Sequence, residues 1–553
     1  MHRRFFSSAF SAVFIFWFSA LVPAWSQDTD DKEQASRGRS VIVFLFDDLG
    51  FGELSAYRNL YRYVPSATDE PSDVAPTPHL DKLASQGVIC TRAYSHCWCA
   101  PTRQSLLSGM WNNRNSAYGR PWIGNHMRNL GMRTLMVGKN HGDLPAKRIL
   151  DWRGGKSEFD ETFHVNLGEF AYYRNPQSRY ARETGDVIRS RTGGQKPVPY
   201  LPKGEEYITD LFAERMVSFI DQQASAQRGF FIYCAFNAPH SPLHGKPEDM
   251  RALFPTRFGS WSDERIREDG LNWRNSRYQR EHIMAMVHAA DRAIGTVVAA
   301  LRRHGVYDDT LIIVTSDNGG ARDGKVIRSL NYPLSGAKHD SLDGGIRVPF
   351  IVSSGELAAS RDRKPRYDGL VSVCDILPTA VRFVDPSFDP AAVETDGANL
   401  MPHLLGLKPT LTGRRYFMQA KIAKDRSVSF HEPTDGYNAV LIKDDYKLQR
   451  ICDDGAKPAD FRYVLQHLPD VAGDRAPATR LRESYDKDNV DDPEIKSAMI
   501  REMESLLAAE GDDLSPEWSG NPANAQVILP ILHRYLKSGN LPSRDGSKTE
   551  DSR

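Results

Sequence analysis

The chain has 553 residues, too many for one ordinary domain, and its 40% hydrophobic and 26% charged content is that of a soluble globular protein. Lysine plus arginine and aspartate plus glutamate both number 71, so net charge gives no sign of a nucleic-acid binder. Any affinity for an anion must come from local placement.

In chain order, His2, Arg3 and Arg4 precede an apolar stretch over residues 10–22 and the small-residue frame Ala24-Trp25-Ser26. This predicts a signal peptide over residues 1–26, cleaved before Gln27. The apolar stretch is short for a membrane span, so the mature chain is expected to be exported, periplasmic or secreted, and to keep no span. Residues 27–39 read as a polar leader. Continuous apolar runs at 40–46, 134–137, 230–236, 310–315 and 348–352 have the pattern of strands buried on both faces. Amphipathic stretches at 77–87, 205–223 and 278–303 predict helices between them. In the last of these, His282 and His288 read as packed or solvated residues rather than ligands.

That alternation predicts an α/β fold with a mainly parallel or mixed central sheet flanked by helices. After residue 400 short strand-like pieces at 416–418, 439–442 and 446–449 precede one helix at 493–509, which predicts a smaller C-terminal α+β domain. The expected division is therefore 27–400, 401–536 and a polar tail over 537–553. Six cysteines (90, 97, 99, 234, 374 and 452) are too few to staple a chain this long, although Cys97 pairing with Cys90 stays open.

Chemistry concentrates where strands end. Asp47 and Asp48 follow the first apolar run, and Asp317 and Asn318 follow the one at 310–315, with Gly319 and Gly320 next. Ligands in open α/β sheets bind beyond the carboxyl ends of strands. Three carboxylates and one amide form an all-oxygen set, which selects a hard divalent cation, Ca²⁺ or Mg²⁺, over zinc. Residues 97–110 contain Cys99, Pro101 and Arg103 in a Cys-x-Pro-x-Arg frame, at the start of a short helix-like stretch. Cys99 and Arg103 lie one helical turn apart, so both side chains can face one cleft. Each motif alone reads as an ordinary polar turn or a disulfide half; their coincidence is what carries information.

Taken together, these segments resemble the type I sulfatases of the alkaline phosphatase-like superfamily, over nearly the whole mature chain. Val43-Phe-Leu-Phe-Asp-Asp-Leu-Gly50 and Thr315-Ser-Asp-Asn-Gly-Gly320 resemble the two metal motifs. Val137-Gly-Lys-Asn-His141 supplies Lys139 and His141, Asn237-Ala-Pro-His-Ser-Pro242 supplies His240, and the run from Gly336 to Pro349 supplies Lys338. Asp396-Gly-Ala-Asn-Leu-Met-Pro402 resembles the segment closing the first domain. Thr102, Met110 and Ala337 depart from commoner residues.

The resemblance implies that Cys99 is oxidised to formylglycine by a formylglycine-generating enzyme, and that the aldehyde hydrate attacks sulfur. It implies metal ligation by Asp47, Asp48, residue 99, Asp317 and Asn318, with Ca²⁺ ahead of Mg²⁺. Arg103, Lys139 and Lys338 then meet the sulfate oxygens, His240 or Lys338 protonates the departing alcohol, and His141 takes the proton that expels sulfate. The basic, tyrosine-rich segment 168–203 and the aromatic segment 251–275 are candidates for a sulfated carbohydrate, and the former reads slightly better as a solvated insertion. Two other readings are open: a phosphonate or phosphate monoester hydrolase on the same scaffold, and an inactive exported carbohydrate-binding protein.

Overall fold

The computed structural model describes residues 38–60, 74–111, 121–140, 158–165, 172–174, 188–191, 198–200, 206–323, 326–327, 329–389, 393–421, 437–452, 461–468 and 492–509. The expected signal peptide and polar tail, and His141, lie outside them. Among the described residues ten strands form one sheet: β1 (Ser40–Phe46), β2 (Val88–Tyr94), β3 (Arg133–Lys139), β4 (Glu161–Val165), β5 (Ile188–Arg191), β6 (Val198–Pro199), β7 (Phe230–Ala235), β8 (Thr310–Ser316), β9 (Phe350–Ser353) and β10 (Arg366–Ser372). Their order across the sheet is β10-β2-β9-β8-β1-β7-β3-β4-β5-β6.

The sheet is mixed. β1 runs parallel to β7 and β8, β3 parallel to β7 and β4, and β2 parallel to β10. β9 is antiparallel to β8 and β2, and β5 is antiparallel to β4 and β6.

Strand β1 shows why the apolar runs are unbroken. Its side chains alternate between faces, and both faces are covered. Ile42, Phe44 and Phe46 join one core with residues of α3 (Ile208–Ser225) and α4 (Gln279–Arg303), beside α1 (Pro78–Gln86). Val41, Val43 and Leu45 join a second core with α2 (Cys99–Ser108) and α5 (Ile376–Val384). By length and composition α4 is apolar enough to cross a membrane, yet here it is a core helix. Its Asp291 accepts from Leu80 N at 2.7 Å, so a carboxylate from α4 caps the N-terminus of α1.

A second sheet follows as an antiparallel meander, β11 (Arg415–Lys421), β12 (Tyr437–Lys443), β13 (Tyr446–Cys452) and β14 (Phe461–His467), with α6 (Pro493–Ala509). Tyr416, Met418, Val440 and Ile442 pack on Tyr94, Cys97, Ile346 and Leu370 of the larger unit. Phe417, Leu441, Leu448 and Leu465 pack on Met499 and Met503 of α6.

One contact between the two sheets is ionic. Lys447 on β13 is fully buried, with Nζ 2.9 Å from Asp343 Oδ1, and Arg347 Nη1 lies 3.2 Å from Asp343 Oδ2. Next but one along β13, Gln449 Nε2 donates to Ser341 O at 3.0 Å. The meander thereby holds the loop that carries Lys338. Replacing Lys447 with methionine keeps the bulk and strands part of a buried charge, so Lys447→Met is expected to destabilise the fold by about 3 kcal/mol. A thermal melt unchanged from the parent would contradict it.

Candidate active site

Register alone brings the two acidic turns together. Phe46 pairs with Ser316 at the carboxyl ends of β1 and β8, so Asp47 and Asp317 are the next residues on adjacent parallel strands. Asp317 N donates to Phe46 O at 3.0 Å and Asp48 N to Asp317 Oδ1 at 3.2 Å. Asp48 has φ +66°, a left-handed conformation that aspartate tolerates better than most residues. β7 ends beside β1 and delivers the turn with His240; Asp47 N donates to Ala238 O at 3.1 Å. β3 ends beside β7 and delivers Lys139. There Gly138 has φ +102°, and a Cβ on it would meet Ala235 O at 1.9 Å, so only glycine allows that approach.

Cys99 is the first residue of α2, with Trp98 as N-cap, and Pro101 falls in the first turn where its missing N–H leaves no bond unmade. Thr102, a departure from the commoner residue, has a structural use: its hydroxyl accepts from His96 N at 2.9 Å and donates to Trp98 O at 3.1 Å. One ligand atom each from Asp47, Cys99 and Asp317 lies within 4.8 Å of the others, and carboxylate oxygens of Asp47 and Asp48 with a ring nitrogen of His240 form a second such group.

Three cations stand against the three carboxylates. Lys139 Nζ bonds Asp47 Oδ2. Arg103 donates to Asp317 Oδ2 through Nε at 2.9 Å and Nη2 at 2.7 Å, and its Nη2 lies 3.7 Å from Asp47 Oδ2. Lys338 Nζ lies 2.7 Å from Asp48 Oδ1. Arg103 and Lys139 have no exposed surface, and both bond carboxylates of the cluster. Burial opposes the charge on Lys338, but Asp48 beside it outweighs that and holds the ammonium above its usual range. Burial likewise opposes charge on Asp48, and Lys338 and His240 hold it below the usual carboxylate range. Burial, then the charge of Asp47, pushes Asp317 up to about 6. Burial raises the Cys99 thiol as well.

His240 is lowered to about 4, first by burial and then by Lys338. Its Nδ1 lies 2.7 Å from Ser241 O, which assigns the ring proton to Nδ1 and leaves Nε2 to face Asp48 Oδ2 at 3.7 Å.

A hard cation fits this set. Asp47 Oδ1 and Asn318 Oδ1 are buried oxygens with no hydrogen-bond partner among the described residues. Buried oxygens without a donor are destabilising, and a divalent ion satisfies both at once.

Other expectations resolve differently. Cys90 and Cys97 are both buried and neither forms a disulfide, so Cys97 does not pair with Cys90. The aromatic segment 251–275 does not offer open rings. Phe258 is buried, Phe254 and Trp261 pack against it, Trp273 belongs to the main core, and the Arg265 guanidinium covers Trp261 at 3.8 Å. Segment 168–203 lies mostly outside the described residues, but Tyr172 within it donates to His240 O at 2.9 Å. His282 is buried and packed, its Nδ1 accepting from Gly245 N at 3.0 Å. Asp343 and Lys447, which brace the Lys338 loop, carried no signal in the sequence reading.

The family model described as "Sulfatase" matches residues 39–385, more than half of the chain. The uncharacterized sulfatase YdeN of Escherichia coli is 26% identical over 423 residues, 68% of each chain. The N-acetylgalactosamine-6-sulfatase of Homo sapiens is 26% identical over 401 residues, 66% of each. The chain thus spans about two thirds of the length of these relatives. Among solved structures, Ps i-CgsB in complex with k-i-k-neocarrahexaose shares the fold, with a TM-score of 0.63 and 21% identity over 91% of this chain and 99% of that one. The phosphonate monoester hydrolase SpPMH from Silicibacter pomeroyi shares it at a TM-score of 0.52 and 18% identity, over 86% and 96%. With three strand ends converging on Cys99 and a family match running through all of them, the chain belongs to the sulfatase family, the sulfuric ester hydrolases of the alkaline phosphatase-like superfamily.

Proposed function

We propose that this protein is an exported sulfatase that hydrolyses sulfate monoesters of carbohydrates. One observation carries the reading: three carboxylates (Asp47, Asp48, Asp317) balanced by three cations (Arg103, Lys139, Lys338) around Cys99, with two orphaned oxygens among them. The protein charges sum to zero, so a bound divalent ion leaves the pocket positive, as a receptor for an anionic ester requires. Asp47, Asp48, Asp317 and Asn318 would hold that ion, Ca²⁺ ahead of Mg²⁺, and it would supply charge neutralisation for sulfate oxygens. Formylglycine at position 99, made by a formylglycine-generating enzyme, would supply an oxygen nucleophile that also suits a hard ion better than a thiol does.

The chain's own groups have separable tasks. Arg103 and Lys139 fix the carboxylates in the dry interior. Lys338 presents a lasting positive charge to the ester. His240 has Nε2 free to exchange a proton near the departing alcohol, while its Nδ1 is tied to Ser241 O. His141 remains the residue proposed to take the proton that expels sulfate. The sugar assignment draws support from the relatives' names: one acts on N-acetylgalactosamine 6-sulfate and one solved neighbour holds neocarrahexaose. The shared fold of SpPMH keeps a phosphonate ester hydrolase as the second reading.

The deciding experiment compares aryl sulfate with aryl phosphonate turnover by enzyme purified from a host that performs the cysteine oxidation. Faster sulfate turnover is expected, and a preference for phosphonate would overturn the reading. Mass measurement of the tryptic peptide 93–103 from the same material is expected to show an aldehyde or its hydrate at residue 99; an intact thiol in active enzyme would remove the proposed nucleophile. Lys338→Ala is expected to lower turnover on the order of 10²-fold with the fold retained. Near-parent kinetics in that variant would refute its role.

A further inference from the structure

The loop that carries Lys338 is a closed turn. Ala337 N donates to Asp340 Oδ2 at 2.8 Å, and Asp340 N donates to Ala337 O at 2.9 Å. Two further bonds pin the turn over the site: Lys338 N to Gly320 O at 3.1 Å, and His339 N to Cys97 O at 2.8 Å. At the tip, His339 has φ +76°, in the left-handed region, which strains a residue with a Cβ more than it does glycine.

Glycine would make the same turn without that strain. The His339 side chain is exposed, and among the described residues it makes no hydrogen bond or ion pair. The ring therefore plays no part in holding the turn, which the backbone bonds already secure, and is available to an external contact. Its location fits such a contact. It adjoins Lys338, whose Nζ lies 2.7 Å from Asp48 Oδ1, and its own N–H bonds Cys97 O, so it stands beside the cluster around Cys99. An uncharged imidazole offers one N–H donor and one lone pair, a pattern suited to a hydroxyl group rather than to a second sulfate.

We infer that His339 is a specificity-determining residue: it hydrogen-bonds a hydroxyl of the alcohol borne by the sulfate ester, and so favours sugar sulfates over esters whose alcohol lacks one. The inference rests on the sulfatase reading above.

The test uses the full mature chain, with parent, His339→Gly and His339→Asn assayed on 4-nitrophenyl sulfate, N-acetylgalactosamine 6-sulfate and neocarrahexaose. Glycine removes the ring and accepts the left-handed backbone, whereas asparagine accepts it and keeps a donor and an acceptor. In His339→Gly, kcat/KM for the sugar sulfate is expected to fall about tenfold further than for 4-nitrophenyl sulfate, through KM, with a melting temperature no lower than the parent's. His339→Asn is expected to recover part of the loss. Equal losses on both ester classes, or no loss, overturn the inference. A parent that hydrolyses 4-nitrophenyl sulfate and neither sugar sulfate also overturns it while the sulfatase reading stands. A parent inert to all three esters overturns the sulfatase reading itself.

Discussion

Three carboxylates forced into one dry pocket are the constraint around which the rest of this molecule is organised. Parallel pairing of β1 with β8 makes their proximity unavoidable, because the residues following Phe46 and Ser316 must leave the sheet side by side. Like charges at that spacing repel strongly in a low-dielectric interior. The fold answers with a cation from three separate elements: Lys139 from the end of β3, Arg103 from α2 and Lys338 from the loop before β9. None of these is spare. The result is a balanced set that still leaves two oxygens unsatisfied, a cluster ready for an ion and poised around position 99.

Much of this was legible before any coordinates. Strands β1, β7 and β8 were readable because they are covered on both faces and so have no polar residues to interrupt them. The acidic turns could then be placed at strand ends, and the helical spacing of Cys99 and Arg103 gave their shared direction. Strands β2 and β10 escaped notice because Thr91, Arg92 and Asp368 break the apolar pattern; Thr91 is buried all the same, since its hydroxyl donates to Asp368 Oδ1 at 2.7 Å. Strand β4 was hidden by Glu161 and His164, which are buried polar residues.

Two residues beside the site cannot be read as buried from sequence, for a physical reason. In Tyr446-Lys447-Leu448-Gln449, alternation assigns the lysine and glutamine to a solvent face. That face is in fact pressed against the Lys338 loop, and both side chains are fully buried because the loop supplies a carboxylate and a carbonyl. Arg103 differs: the fork that suits a tetrahedral oxyanion also grips an internal carboxylate, Asp317. Sequence shows what a guanidinium can grip, and only the fold decides which partner arrives first.

The ion pair between Lys447 and Asp343 joins residues 104 positions apart and reaches beyond the segment, ending at residue 385, that defines the family. A polypeptide stopped at that boundary would possess every reactive group named above, yet Asp343 would lack the ammonium that seals it. The folded unit of this hydrolase is therefore longer than its signature: the Lys338 loop is finished by a strand made well after it.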